Sequence, residues 1–345
     1  MFYDPIMNQA NAESRPVLSL TVSPRTDGDR EILRQALSDL AQQEPSIRVG
    51  TDSDGHFIIG AESESHLESI RERILREYKI EADVGRPKVI YLETIRKQAE
   101  AEGEFIYRYG SQRRFHGKVK LRLEPREEGS GYQFIDEITD GAVPPEFVEA
   151  VNAAIQDAMK AGILAGQEIV DLRAVLCDGS YHREDSNESA FKIAASIAFK
   201  EAVRKANPVV LEPIMAVEIS GPEEHLSISA IIGDLKSRRA CITGLEHYGN
   251  SLLLRAIVPM AEMLGYSSST RSNTQGHAEY SVRLIRYSEA LPRSSGGDEA
   301  SSTSIEPNDP RPESGSDEAG VIAFRPKGPK PKSRSAAAKI DTESE

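Results

Sequence analysis

Residues 17–84 read VLSLTVSPRTDGDREILRQALSDLAQQEPSIRVGTDSDGHFIIGAESESHLESIRERILREYKIEADV, and the order of periodicities in this stretch decides the fold. Val17–Val22 is β-rich. Over 27–43 the apolar positions Leu33, Leu37 and Leu40 recur at helical spacing, behind acidic capping candidates Asp27 and Asp29. Ile47 and Val49 then lead to Asp54-Gly55, a hairpin signal, and His56-Phe57-Ile58-Ile59 answers across it. A second helix places Leu67, Ile70, Ile74 and Tyr78 on one face, and Ile80, Ala82 and Val84 alternate as a last strand. This βαββαβ order is the ferredoxin-like plan, which by itself decides no function.

The same order returns near the other end. Met215, Val217 and Ile219 alternate, and Pro222-Glu223-Glu224 is expected to open a helix carrying Leu226, Ala230, Ile231 and Leu235. Segments 240–245 and 251–258 pair across Tyr248-Gly249-Asn250, a short helix begins at Pro259, and 277–285 closes the sheet. Between the two sandwiches, roughly 88–210, come β-rich segments at Val89–Tyr91 and Val119–Leu123. Two helices follow, at about 145–162 (Val148, Val151, Ile155, Met159) and 187–206. The second carries Phe191, Ala194, Ala195 and Ala198, a narrow face suited to close packing. Beyond Leu291, residues 294–345 are rich in Ser, Pro, Gly and acids, a composition that reads as disordered. This tail splits into an acidic part and a basic, proline-spaced run, FRPKGPKPKSR (324–334), open to reading as a phosphate-contacting arm or as a solubilising tail.

Composition narrows the function. A chain of 345 residues, 39% hydrophobic and 28% charged, fits a soluble protein of two or three domains. It has no apolar run of membrane length and no signal-peptide pattern at its start. Cys177 and Cys241 offer neither a disulfide framework nor metal-ligand spacing, so no metal or other cofactor is expected, and the cytoplasm is the natural location. The net charge of -13 opposes nucleic-acid binding as a total. Residues 96–122 nevertheless carry Arg96, Lys97, Arg108, Arg113, Arg114, Lys118, Lys120 and Arg122 against three acids. This basic island fits either a solvated strand face or a phosphate-facing patch.

The chemistry of nucleotide hydrolysis is missing. The nearest approach to G-x-x-x-x-G-K-[ST] is Gly110…Gly117-Lys118-Val119, with six residues between the glycines and no hydroxyl after the lysine. Asp52-Ser53-Asp54-Gly55 fits D-x-x-G formally but belongs to the hairpin turn, and His182 with Glu184 and Asp185 has no nucleophile beside it. The chain does not read as an enzyme.

Longer strings carry a resemblance. GYQFIDEITDGAVPPEF (131–147), AGILAGQEIVDLRAVLCDGSYHREDSNESAFKIAASIAFKEA (161–202) and NPVVLEPIMAVEIS (207–220) resemble domain IV and the start of domain V of elongation factor G. IIGDLKSRR (231–239) and LGYSSSTRSNTQGHAEYSV (264–282) resemble the rest of domain V, and PVLSLTVSPRT (16–26) with IEADVGRPKVIYLETI (80–95) resembles domain III. The likeness runs in collinear order over about 16–290, the C-terminal half of such a factor without its GTPase domain. It implies an α+β chain in which two ferredoxin-like βαββαβ sandwiches flank a ribosomal protein S5 domain 2-like middle domain. The expected units are an extension over 1–15, domain III over 16–87, domain IV over 88–210, domain V over 211–290 and a disordered tail over 291–345.

The resemblance further implies a ribosome-binding protein, monomeric and away from membranes, that meets ribosomal RNA through domain V and the tip of domain IV in the decoding region, near tRNA and mRNA. Two tip loops follow from it: Asp178-Gly179-Ser180-Tyr181-His182, and Gly110–Gly117 with Arg113, Arg114, His116 and the adjoining Lys118. Tyr181 and His182 are types that stack on or hydrogen-bond to exposed nucleotides. Two strings depart from the family. Its glycine-rich SGGRGQYG tip reads GSQRRFHG at 110–117, and its GxGELHLE string reads GAESESHLE at 60–68. The alternatives are one subunit of a split GTPase, with the nucleotide-binding half encoded separately, or a degenerate fragment without a role.

Overall fold

Strand β1 (Leu18–Pro24) buries Leu18, Leu20 and Val22 and turns Ser19, Thr21 and Ser23 the other way. The structure, a computed structural model, describes residues 15–290 apart from 45, 53–54, 110–112, 140, 184 and 275–276. The side chains of Asp27, Arg108, Tyr109, Arg113, Arg114, His225, Ser268, Ser272 and Asn273 also lie outside the described set. So do the 1–15 extension up to residue 14 and the tail from 291, together with the expectations placed on them.

After β1 come α1 (Asp27–Gln43), β2 (Arg48–Thr51), β3 (Phe57–Ala61), α2 (Glu64–Tyr78) and β4 (Ala82–Val84). The sheet order is β2-β3-β1-β4, with β1 antiparallel to both β3 and β4, the ferredoxin-like arrangement. Short strand β5 (Lys88–Val89) adds to β1. The cap of α1 is Thr26, not an acid. Its hydroxyl accepts from the Asp29 amide at 3.3 Å and donates to the Asp29 carboxylate at 2.7 Å. Asp29 is therefore bonded to the cap twice, through its amide and through its carboxylate, which takes the Thr26 hydroxyl rather than the backbone N–H of a capping box. Ser63 caps α2 by accepting from the His66 amide, and Lys79, at φ 57, ends it in the left-handed region.

Strand β6 (Leu92–Ile95) leads into the middle unit, built from β7 (Ala99–Tyr109), β8 (Arg113–Pro125), β9 (Gln133–Asp136), α3 (Pro145–Ala161), β10 (Leu172–Ser180) and α4 (Glu188–Lys205). Its sheet runs β7-β8-β10-β9, with only β9 and β10 parallel. Phe191, Ala194, Ala195, Ala198, Phe199 and Ala202 of α4 are fully buried. The helix lies so close to the hairpin that a Cβ on Gly103 would come 2.1 Å from the Ala194 oxygen, and one on Gly117 2.7 Å from the Ala190 backbone.

The third unit comprises β11 (Pro208–Pro222), α5 (Ile228–Ser237), β12 (Cys241–Tyr248), β13 (Ser251–Pro259), α6 (Tyr266–Asn273) and β14 (Glu279–Glu289). Its order β12-β13-β11-β14 repeats the ferredoxin-like plan. The two prolines expected to open helices, Pro222 and Pro259, instead introduce single 3-10 turns at Glu223–His225 and Met260–Glu262. The α-helices start later, at Ile228 and Tyr266.

β6 does not pair inside the middle sheet. It runs antiparallel to the start of β11, with Ile95 opposite Pro208 and Leu92 opposite Leu211. Glu93 on β6 is fully buried, and its carboxylate accepts four backbone N–H groups: Ile163, Leu164, Ala165 and Gln167, at 2.7–3.0 Å. Between the first and third units, the Glu64 carboxylate at the start of α2 accepts the Gly265 amide at 2.9 and 3.0 Å. No helix among the described residues is long and apolar enough to cross a membrane.

Candidate nucleic-acid interface

The β7–β8 hairpin stays in unbroken register from Ala99 opposite Leu123 to Tyr109 opposite Arg113. Residues Arg113, Arg114, His116 and Gly117, expected in a loop, are therefore strand residues, and Lys118 continues the same strand. Alternation explains the difference: Phe115, Gly117, Val119, Leu121 and Leu123 supply an inward face that extends the ladder past the glycine expected to break it. Asp178, Gly179 and Ser180 are likewise the last residues of β10, paired with Lys120, Val119 and Lys118, and only Tyr181 and His182 belong to the following loop. Gly179 is needed where it stands, because a Cβ there would lie 2.3 Å from Val143 Cγ2 and 2.7 Å from the Lys118 oxygen.

On the outward face of the hairpin the cations meet carboxylates. Lys118 Nζ is 3.0 Å from Glu102 and Lys120 Nζ 2.8 Å from Glu100, each reaching diagonally past the acid directly opposite. Arg122 bonds Glu124 at 2.9 Å and Glu137 at 2.9 and 3.0 Å, and Arg173 bonds Glu124 at 3.1 Å. The hydrogen bond to Glu102 holds the Lys118 pKa above the ordinary lysine range. Three of the eight cations of the basic island, Lys118, Lys120 and Arg122, thus belong to a charge-balanced strand face, and Arg96 pairs with Glu289.

Three arginines of the island lie further out in the hairpin. Between Glu104 and Lys118 the sequence FIYRYGSQRRFHG contains three arginines, one histidine and no acid. Arg108 falls opposite Arg114 in the register, and Tyr107 opposite Phe115, whose rings stack at 6.1 Å with 17° between their planes. The side chains of Arg113 and Arg114 lie outside the described residues.

His116 joins the hairpin to the second expected segment. Its amide donates to the Asp185 oxygen at 2.8 Å, and the Ser186 hydroxyl donates to the His116 oxygen at 2.8 Å. Ser186 Oγ also accepts the His182 amide at 3.0 Å, so the loop after β10 closes over the strand. The two imidazoles meet edge to face at 4.5 Å, with the His182 ring outermost. Burial, then the neighbouring His182, push the His116 pKa down against the pull of Glu104, and its Nδ1 has no partner among the described residues. His116 is therefore a neutral support beneath His182. Tyr181 leans on Phe147, which stacks on Phe191 at the start of α4. His116, Lys118, Asp178, Gly179, Ser180, Tyr181 and His182 accordingly gather at one end of the middle sheet.

Three family models follow one another along the chain: Elongation Factor G, domain III over residues 14–86, Elongation factor G, domain IV over 87–207, and Elongation factor G C-terminus over 209–294. The chain belongs to the elongation factor G family. The three models describe domains III, IV and V, and none of them is a GTP-binding domain. A crystal structure of a protein from Thermus thermophilus is 35% identical and superposes with a TM-score of 0.63, covering 81% of this chain and 41% of that one. The elongation factor G chain described here thus spans about two fifths of that relative's length. Its hairpin end and the Tyr181–His182 loop both belong to domain IV. Sequence reading singled out neither the Tyr107–Phe115 pair nor the Asp185–Ser186 latch. The pair was visible as period-2 spacing in 105–117, whereas the latch depends on chain return and left no local signal.

Proposed function

We propose that this elongation factor G-like chain is a non-enzymatic, cytoplasmic ribosome-binding protein. It meets ribosomal RNA through the distal end of domain IV and through domain V, as a monomer and without a cofactor. The observation that carries this reading is the acid-free hairpin end, 105–117, held beside Tyr181 and His182 by the His116 latch. Permanent cations at a projecting end suit phosphate, where each contact releases counterions, and the adjacent rings suit exposed nucleotides.

Co-sedimentation with purified ribosomes across a salt series tests it. Arg113→Ala with Arg114→Ala weakens binding and makes the salt dependence shallower, by about 0.7–0.9 in slope per lost phosphate contact. His182→Ala lowers affinity with little change in slope, since it removes a ring and no permanent charge. Added GTP changes neither. Lys327→Ala with Lys330→Ala in the tail is the control. If that variant alone abolishes sedimentation while both tip variants bind like the unmodified chain, the charged tail is the binder and this reading fails.

A further inference from the structure

We propose that the end of the hairpin is a stacking platform for unpaired RNA, built on Tyr107 and Phe115, and that Glu100, Glu102 and Glu104 fence RNA off the outward face of the same hairpin. The proposal rests on the RNA-contacting role given to this end of domain IV and specifies which form of RNA it takes and where the contact stops.

The platform follows from strand parity. Phe105 and Tyr107 on β7, with Phe115 and Gly117 on β8, share the face that domain IV turns towards α4. The helix covers that face only as far as Gly117, where Ala190 closes on the strand, and its first residue is Glu188. The Tyr107–Phe115 pair lies one inward-facing position further out. Its rings are half-buried and nearly parallel. An aromatic pair of this kind offers a flat surface to a base, and stacking requires a base that is not already paired. Arg108, Arg113 and Arg114 come from the same short segment, so a strand bound there finds cations for its backbone.

The fence follows from the ion pairs. Glu102 holds Lys118, Glu100 holds Lys120, and Glu104 stands 3.7 Å from His116. A phosphate approaching this face must displace a carboxylate already in place, so the cations there give no net attraction. On the outward face the nucleic-acid contact therefore ends at the level of His116, with Lys118 behind the boundary, and on the platform's own face it ends where Ala190 closes on Gly117.

Fluorescence anisotropy on the full chain tests both parts, with a short labelled oligouridine and a blunt RNA duplex of equal length as probes. Tyr107→Leu with Phe115→Leu keeps apolar bulk but removes the rings. It weakens oligouridine binding by at least about 5-fold and leaves duplex binding and the salt slope unchanged. Phe115→Leu alone gives a smaller loss in the same direction if the double variant folds poorly by circular dichroism, and Tyr107→Phe binds like the unmodified chain. Unchanged oligouridine binding, or an equal loss on the duplex, overturns the platform. Glu100→Gln with Glu102→Gln frees the two lysines and steepens the oligouridine salt slope by about 0.7 for each one that engages; an unchanged slope overturns the fence. Loss of oligouridine binding in the double leucine variant upholds the platform, and failure of the unmodified chain to sediment with ribosomes removes the ribosomal reading alone. The reverse pattern sinks the platform and leaves that reading standing.

Discussion

Glu93 is a buried carboxylate that has no cationic partner among the described residues and is held by four backbone amides of the 163–167 turn. Burial alone would raise its pKa. The amides of Leu164, Gln167, Ile163 and Ala165 together outweigh that and hold it below the ordinary carboxylate value. A depressed folded-state pKa makes the sign definite. The stabilisation is fully present above the unfolded value of about 4.3, and is lost as pH falls through the lower folded value. Glu93→Gln places an NH2 group where an acceptor is needed, and is expected to cost at least about 2 kcal/mol at neutral pH. Urea unfolding from pH 7 down to 3 checks this, with the variant's stability falling less steeply below about 4.3. A variant as stable as the original, with the same acid slope, would show that the amide cluster does not depend on the charge.

At the scale of elements, α4 and the β7–β8 hairpin form the tightest joint in domain IV. The alanine face of α4 could be read from spacing alone, and so could the ferredoxin-like repeats, because each is a local period. What could not be read was how far the hairpin extends. Gly110 and Gly117 both looked like loop residues, yet Gly117 lies in the strand and is glycine there because α4 leaves no room for a Cβ. The charge of the basic island was similarly legible as a count, but pairing is a cross-strand property. Nothing in the order Glu100, Glu102, Glu104 announces that Lys120 and Lys118 will fold back onto the first two. Gly103→Ala and Gly117→Ala each push a methyl into helix backbone and are expected to destabilise by about 2–3 kcal/mol or more. Gly233→Ala in α5, where a Cβ meets nothing within 4 Å, is expected to stabilise by about 0.5–1 kcal/mol. Denaturant midpoints of the three variants decide, and an indifferent Gly103→Ala would mean that α4 can shift outward freely.

In the whole molecule, the string that departs from the family's GxGELHLE pattern makes a contact between domains III and V. Glu64, within that string, accepts the Gly265 amide, and burial raises its pKa despite this bond. Glu64→Lys replaces an acceptor with a cation at a backbone N–H. It is expected to open the contact between the two sandwiches while leaving each folded. Small-angle scattering then reports a larger radius of gyration with unchanged circular dichroism. An identical scattering curve would mean that apolar contact alone sets the arrangement. Calorimetry with GTP is expected to give no binding heat at micromolar concentrations, since the one glycine-lysine sequence near the required pattern, Gly117-Lys118, is locked in strand β8.

The pairing of β6 with β11 has a consequence for how this architecture can be edited. The backbone enters domain IV at Ile95 and leaves it at Pro208, side by side in one ladder, and the amides of Arg96 and Lys97 still reach the Ala206 oxygen just beyond. Topologically, domain IV is a large loop on a two-strand stem whose other strand already belongs to domain V. A tight turn joining Ile95 to Pro208 would complete an ordinary hairpin and leave the five-stranded sheet of domain V intact. The domain is thus a cassette that the chain enters and leaves at one place, and an exchange that keeps the 163–167 amides over Glu93 and the Glu128 contact to Tyr287 leaves its neighbours as they are.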